Sequence, residues 1–380
     1  MPSCLIVTGE SSGEKIGATL VHQFLSRNPE FKFFGSGGRN MEREGVRLLH
    51  SIEEMAVGGM FEVFSHLPRL KKIFKNIVQE TEKLRPEAAI LIDFPDFNLR
   101  LAKKLKKLSI PVLYYVSPTV WAWRAGRLKT IKKTVDKMLL IFPFEEKIYR
   151  KYGIPAVYVG HPLRERIRVN LSKNEFFAKY GLEESKVLIC LLPGSRLLEV
   201  KNHMPVLSQA IWLIKSRIPS QFVLILAENI DKNLILKYIP SQIPELKILR
   251  EDTYEAIASS DIALSACGTA NLEVLLLRTP LIAFYRLSPL TFILGKRMVK
   301  IKFYSIVNIL AQKKIVPELI QKNFNPKNLF LEIKKILDSK EKKEEILENY
   351  KKIDALLGEK ISSLNAAIEL ENLLKDKKRK

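Results

Sequence analysis

Two carboxylates stand where apolar runs end. In Ile92-Asp93-Phe94-Pro95-Asp96-Phe97-Asn98, Asp93 closes an aliphatic stretch and Asp96 follows Pro95, where a helix starts. Asp96 reads as that helix's N-cap. Asp93 has no such structural role, and a carboxylate held at a strand end is placed to take a proton from a substrate hydroxyl. Glu10, in Gly9-Glu10-Ser11-Ser12-Gly13, is either a catalytic or sugar-binding carboxylate or a helix-start acid favoured by the dipole. The backbone N–H groups of its loop can receive an anion or a polar substrate group. Glycines at 9, 13 and 17 do not make the G-x-G-x-x-G dinucleotide fingerprint.

The second half carries donors for a pyrophosphate. Leu192-Pro193-Gly194-Ser195-Arg196 offers backbone N–H groups, a hydroxyl and a guanidinium at a strand end, with Glu199 in the following helix; the plainer account is a structural turn with a solvated Arg. Ser265-Ala266-Cys267-Gly268-Thr269-Ala270-Asn271-Leu272-Glu273 is a small-residue loop opening a helix, whose Gly268 and Thr269 can sit against a phosphate while Glu273 accepts from a ribose diol. The two loops together read as one nucleotide-diphosphate site.

Tyr114–Arg124 gathers two Tyr, two Trp and an Arg around a turn. Much of it is core, yet aromatic walls suit sugar faces and acyl chains, and Arg124 with Arg127 can hold a phosphate. His161, in Gly160-His161-Pro162, either assists chemistry or is a hydrogen-bonded histidine at a domain hinge. Leu290–Phe303 mixes Ile293 and Leu294 with Lys296, Arg297, Lys300 and Lys302, the composition of a basic amphipathic helix on an anionic membrane. Ser65–Lys75, with Leu70 and Phe74 beside Lys71, repeats it. For both, the plainer account is a core-facing helix with a solvated basic face.

The elements that position these residues follow from alternation of short aliphatic runs with charged, helix-period segments, the pattern of parallel sheets covered by helices. Strands are predicted at Leu5–Thr8, Lys32–Phe34, Ala88–Ile92, Val112–Tyr115, Lys137–Ile141 and Ala156–Val159, then at Val187–Leu192, Gln221–Leu226, Leu246–Leu249, Ile262–Leu264 and Leu281–Phe284. The fold class is α/β: two Rossmann-like doubly wound domains with C-terminal helices, divided as 1–165, 166–345 and 346–380. Two such sheets in series place a cleft between facing strand ends. The 380 residues, 47% hydrophobic, exclude a disordered or disulfide-stapled chain. Cys4, Cys190 and Cys267 lie far apart and fit neither a disulfide framework nor a metal site. No signal peptide or spanning segment is visible, so a cytoplasmic setting is expected. The net charge of +22 calls for an anionic partner without choosing among membrane lipid, nucleic acid and a phosphorylated substrate.

Taken in order, Gly9–Gly13, Ile92–Asn98, Tyr115–Arg124, Val159–Pro162, Leu192–Arg196, Gly268–Glu273, Tyr285–Pro289 and Asn308–Ala311 resemble the motifs of the lipid-A-disaccharide synthase family, inverting glycosyltransferases of the two-Rossmann GT-B fold. The resemblance implies transfer of 2,3-diacylglucosamine from its UDP-activated form to the 6-hydroxyl of 2,3-diacylglucosamine 1-phosphate, giving a β(1→6) disaccharide and UDP. It implies Asp93 as general base with Glu10 at the reaction centre. Gly194, Ser195, Arg196, Gly268, Thr269, Glu273 and Asn308 would bind the nucleotide sugar, and Ser12, Asn98, Trp123, Arg124 and His161 the acceptor and its phosphate. Glu14 stands where the family usually has Asp, and Cys267 where it commonly has Ser. No metal and no cofactor is called for, because Arg and a helix N-terminus carry the pyrophosphate charge. Acylated substrates place the chain on the inner face of the cytoplasmic membrane, which accounts for its charge without nucleic acid; a homodimer is left open. The alternatives are another UDP-sugar transferase or epimerase of this fold, against which the Asp93 and Trp121 motifs argue, and a non-catalytic lipid-binding module.

Overall fold

Parallel pairing alone builds both sheets of the structure, a computed structural model that describes residues 2–55, 63–122, 124–239, 243–288 and 302–379. The first sheet contains β1 (Ser3–Val7), β2 (Lys32–Gly37), β3 (Val46–Ser51), β4 (Ala88–Ile92), β5 (Val112–Tyr115), β6 (Lys137–Leu140) and β7 (Ala156–Tyr158), in the order β3-β2-β1-β4-β5-β6-β7. The second contains β8 (Val187–Leu192), β9 (Ser220–Ile225), β10 (Leu246–Leu249), β11 (Ile262–Ala266), β12 (Leu281–Tyr285) and β13 (Glu318–Ile320), in the order β10-β9-β8-β11-β12-β13. Central strands such as β4 and β11 are buried along their whole length, as aliphatic runs covered on both faces must be. Each order reverses direction beside its first strand, between β1 and β4 and between β8 and β11, and ligands of open α/β sheets bind at such reversals.

The two Rossmann-like units of the GT-B architecture are residues 1–165 with 357–380, and residues 166–356. The sequence reading groups 346–380 as one C-terminal stretch; the structure divides it. The helix Lys340–Leu357 lies almost wholly in the second unit, while Ser362–Arg379 returns to the first. There Ala366, Ala367 and Leu370 join the core formed by Ile6, Leu20, Val21 and Phe24, and Arg27 pairs with Glu371 at 2.8 Å. Two edge strands, β3 and β13, were absent from the sequence reading. Among the described residues no helix is long and apolar enough to cross a membrane.

Residues 289–301, which include the membrane candidates Ile293, Leu294, Lys296, Arg297 and Lys300, lie outside the described residues, as does Trp123. The other candidate stretch falls in the helix Val63–Leu84. Phe74 does not face outward: it packs on the first core and meets the Phe97 ring edge-on at 5.5 Å, while Ile73 is buried. Lys71 is exposed and Leu70 half-buried. The apolar side of this helix therefore covers the sheet, and its cations form the solvated face.

Candidate active site

At the first reversal, β1 and β4 run side by side with Val7 opposite Leu91, so the loops after them leave from one edge. Asp93 is the first residue beyond β4, half-buried, with φ 47°, and Phe94 follows at φ 48°. Two successive left-handed non-glycine residues are costly, about 1–3 kcal/mol each, and persist only where the surroundings over-determine them. The surroundings do so here. The Asp93 N–H donates to the Tyr115 carbonyl at 2.9 Å, and its carbonyl accepts from Tyr114 Oη at 2.6 Å and Asn98 Nδ2 at 2.9 Å. Burial, with Asp93 as the next contributor, holds the Tyr114 phenol well above its ordinary pKa, so it remains a donor.

Asn98 is fully buried and also donates to the carbonyls of Ile92 at 3.1 Å and Val7 at 3.4 Å, stitching the two strand ends together. It acts on the backbone that carries Asp93. Gly9 is required for a related reason: a Cβ there would come within 2.5 Å of the Phe94 ring. Glu10, Ser11 and Ser12 are exposed at the start of the helix Ser11–Leu25, with Glu10 at its N-cap position. Glu14, one turn inside, is buried and turned toward the loop that follows β2. Its oxygens accept from the Asn40 N–H at 2.7 Å, Asn40 Nδ2 at 2.9 Å and the Met41 N–H at 3.3 Å, capping the helix Arg39–Arg43.

Asp96 is not the N-cap. The cap of the helix Pro95–Lys107 is Phe94, and Asp96 in the first turn pairs with Arg124 at 3.0 Å and Arg127 at 2.6 Å. Both guanidiniums thus already share one carboxylate, and an acceptor phosphate would have to share or displace it. Beside them, Trp121, Phe144, Phe142 and His161 form a continuous aromatic group over the ends of β5, β6 and β7, with centroids 5.5, 5.7 and 5.1 Å apart in turn. His161 is buried within it and accepts the Leu163 N–H at Nδ1, 3.2 Å, which leaves its proton on Nε2.

The second reversal is built from different parts. β8 and β11 pair with Leu192 opposite Ser265, so Gly194-Ser195-Arg196 and Gly268-Thr269 emerge from neighbouring strand ends. Gly194 has φ 119°, a conformation that favours glycine. Ser195, Arg196, Gly268 and Thr269 are exposed; the Arg196 side chain is 73% accessible and rests on Glu199 at 3.4 Å. Asn229 Nδ2 fixes the loop by donating to the Ser195 carbonyl at 3.1 Å. Glu273 lies in the first turn of the helix Ala270–Leu276, half-buried and near Tyr254.

His203 was not singled out from the sequence, and it ties this site together. It is fully buried; Nδ1 donates to the Pro193 carbonyl at 2.7 Å and Nε2 accepts the Arg286 N–H at 3.0 Å. Burial holds its pKa below the ordinary histidine range, consistent with that neutral tautomer. Asn308 is fully buried as well, and its amide is consumed by the chain. Oδ1 accepts from Ile315 N at 2.8 Å and Val316 N at 3.0 Å, while Nδ2 donates to Val316 O at 3.0 Å and Glu318 at 2.8 Å. Asn308 therefore shapes the 304–318 segment rather than offering an amide to a ligand. Cys267 is half-buried, its thiol pushed well above the ordinary range by desolvation with Glu318 and Glu199 nearby. Among the described residues no three His, Cys, Asp or Glu side chains gather as metal ligands.

Residues 4–371 match the lipid-A-disaccharide synthetase family. The chain belongs to that family. It is 40% identical over 376 residues to the lipid-A-disaccharide synthase of Syntrophus aciditrophicus, covering 98% of this chain and 97% of the relative, and 38% identical over 374 residues to that of Myxococcus xanthus, covering 98% of each. It is a lipid-A-disaccharide synthase by these relationships, a glycosyltransferase of lipid A biosynthesis. Among solved structures it resembles the UDP-GlcNAc 2-epimerase of Neisseria meningitidis (TM-score 0.64, 13% identity, 98% of this chain and all of the other). It also resembles Acinetobacter baumannii MurG (TM-score 0.58, 13% identity, 99% of this chain and all of the other). At such identity these establish the shared GT-B fold and leave the synthase assignment to the sequence relatives.

Proposed function

We infer that the first unit binds and deprotonates the acceptor, 2,3-diacylglucosamine 1-phosphate, and the second holds UDP-2,3-diacylglucosamine. In this reading Asp93 takes the proton of the attacking 6-hydroxyl as that oxygen displaces UDP from the donor's anomeric carbon. A single displacement inverts the centre and requires no protein nucleophile. Exposed Arg196, with the Gly194–Ser195 and Gly268–Thr269 loops, stabilises the charge that develops on departing UDP. Glu273 receives the ribose hydroxyls, and Glu10 and Ser12 line the acceptor side. The observation that carries the reading is Asp93: a carboxylate whose backbone is held in a strained conformation by Tyr114, Tyr115 and Asn98 at a strand-order reversal.

A membrane role extends this. Both substrates are acylated, and the cations are not confined to one helix: Lys103, Lys107, Lys129 and Lys133 line a groove of about 480 Å³ between the helices Pro95–Lys107 and Arg127–Thr134. Such clustered lysines attract anionic lipid at about 1 kcal/mol each near the surface. One experiment tests both parts. Donor and acceptor are mixed with the protein, UDP release is followed, and the tetraacyl disaccharide 1-phosphate is identified by mass. The expected turnover is salt-sensitive with acceptor in anionic vesicles and salt-insensitive in detergent. Absence of the disaccharide removes the reaction; salt insensitivity in both removes the electrostatic membrane contact.

A further inference from the structure

Two guanidiniums and one carboxylate meet in the first unit, and the carboxylate is three residues beyond Asp93. Asp96 Oδ1 accepts from Arg124 Nη1 at 3.0 Å and from Arg127 Nη2 at 2.6 Å, and Oδ2 accepts from Arg124 again at 3.2 Å. The three side chains together carry one net positive charge. They differ in how firmly they are enclosed. The Arg127 side chain, at the start of the helix Arg127–Thr134, is 12% accessible, whereas that of Asp96 is 72% accessible. Arg124 has φ 52°, uncommon for a residue with a Cβ, and its carbonyl accepts the Arg127 N–H at 2.9 Å, so a hydrogen-bonded turn sets both guanidiniums on the same carboxylate.

A first-turn aspartate beside arginines is ordinarily a helix-start acid in a surface ion pair, which contributes little where solvent reaches it. That account does not explain why the acid is the exposed member while a cation is enclosed, nor why two arginines converge where the helix Pro95–Lys107 already presents its positive end. Lys103, Lys107, Lys129 and Lys133 on the same two helices add to the positive potential. Guanidiniums converging on one point match the oxygens of a phosphate as well as those of a carboxylate, and a phosphate monoester brings close to two negative charges where Asp96 brings one. The position suits a sugar phosphate. Three residues of chain from Asp93 to Asp96 span at most about 11 Å, so one hexose can present a hydroxyl to Asp93 and a phosphate to the two arginines.

We propose that Asp96 is a built-in competitor for the acceptor's phosphate: it holds Arg124 and Arg127 converged while the site is empty, is displaced when a phosphate monoester binds them, and returns as product leaves. The inference rests on the assignment of the first unit to the acceptor. It makes Asp96 a specificity-determining residue, since only a group of higher charge than a carboxylate gains from the exchange. It also aids release, because the disaccharide product keeps the 1-phosphate and would otherwise be gripped as the acceptor is.

The test uses the full chain in detergent free of phospholipid, with two acceptors, 2,3-diacylglucosamine with and without its 1-phosphate. The quantity read is the ratio of their kcat/KM values. Arg124→Gln and Arg127→Gln should each lower that ratio about 10- to 100-fold through loss of a charge-assisted contact. Asp96→Asn should raise it about fivefold, the effect of removing one competing charge at contact distance in water, and donor KM should stay unchanged in all three. A second readout needs no turnover: glucosamine 1-phosphate, titrated by calorimetry, should bind Asp96→Asn about fivefold more tightly than the wild type and fail to bind Arg127→Gln. A ratio that falls in Asp96→Asn as it does in the arginine variants makes Asp96 a prop and overturns the proposal. An unchanged ratio in the arginine variants overturns it too; if they lose only sedimentation with anionic vesicles, the pair serves the lipid surface. Failure of the transfer reading itself is distinguishable, since it appears as no disaccharide from either acceptor while the glucosamine 1-phosphate titration still decides on the exchange.

Discussion

The two strand-order reversals occupy equivalent places in their sheets and are held by opposite means. At the first, the backbone itself is bent out of its ordinary range: Asp93, Phe94 and, at the end of neighbouring β5, Val116 have φ of 47°, 48° and 66°. A β-branched residue in that region is a genuine outlier. At the second, the non-glycine residues with positive φ among the described residues (Asp252, Arg278, Gln312 and Gln321) all lie away from the ends of β8 and β11. Order there comes from side chains: His203 on Pro193 and Arg286, Asn229 on Ser195, and Glu318 on the Tyr304 and Ser305 N–H groups at 3.1 and 2.9 Å. A group that moves a proton must be aimed closely, and strain locked by neighbours fixes its direction. A site that grips a nucleotide needs many donors of moderate accuracy, and latches suffice.

The largest test of this contrast is Asp93→Asn. Turnover should fall by about 10²–10⁴-fold, the usual contribution of a general base, while UDP affinity by calorimetry stays unchanged. Wild-type-like turnover would take Asp93 out of the chemistry. Next, Arg196→Ala and Glu273→Ala should each weaken UDP binding by about 1.5–3 kcal/mol through loss of charge-assisted hydrogen bonds. Unchanged affinity in both would reduce these loops to structural turns.

The finest comparison uses a device both units share. Asn271 repeats Asn98: it is buried in the helix after β11, Nδ2 donates to Ser265 Oγ at 2.9 Å and Ala266 O at 3.0 Å, and in each residue Oδ1 has no hydrogen-bond partner. Asn98→Ala and Asn271→Ala should each cost about 1–3 kcal/mol of stability by denaturant unfolding. Their kinetic effects should part, with kcat lowered in the first and donor KM raised in the second. A shift of the same parameter in both would erase the distinction between an aimed site and a gripping one.

The central strands were legible because a strand buried on both faces is a continuous aliphatic run; Ala88–Ile92 and Val187–Leu192 match the sequence reading to the residue. β3 escaped it because Arg47 and His50 interrupt its apolar residues, and β13 because it is three residues long and begins with Glu318. The site was legible in its residue types but not in their partners. Nothing in the spacing shows that Asp96 binds two arginines, that Asn308 has no amide hydrogen left to give, or that Phe74 turns inward. His203 left a trace, as a polar residue on the apolar stripe of Val200, Met204 and Leu207. In each case the deciding partner is distant in sequence or chosen by packing.

The return of Ser362–Arg379 to the first unit affects how the chain is made. Most of that unit's sequence leaves the ribosome early, but the face formed by Ile6, Val21 and Phe24 waits for Ala366, Ala367 and Leu370. During synthesis the second unit is completed while the first still displays an uncovered apolar stripe, a surface of the kind that draws chaperones and proteases. A chain stopped short of residue 362 would keep that stripe exposed, so an interrupted product advertises its own incompleteness and is open to early removal.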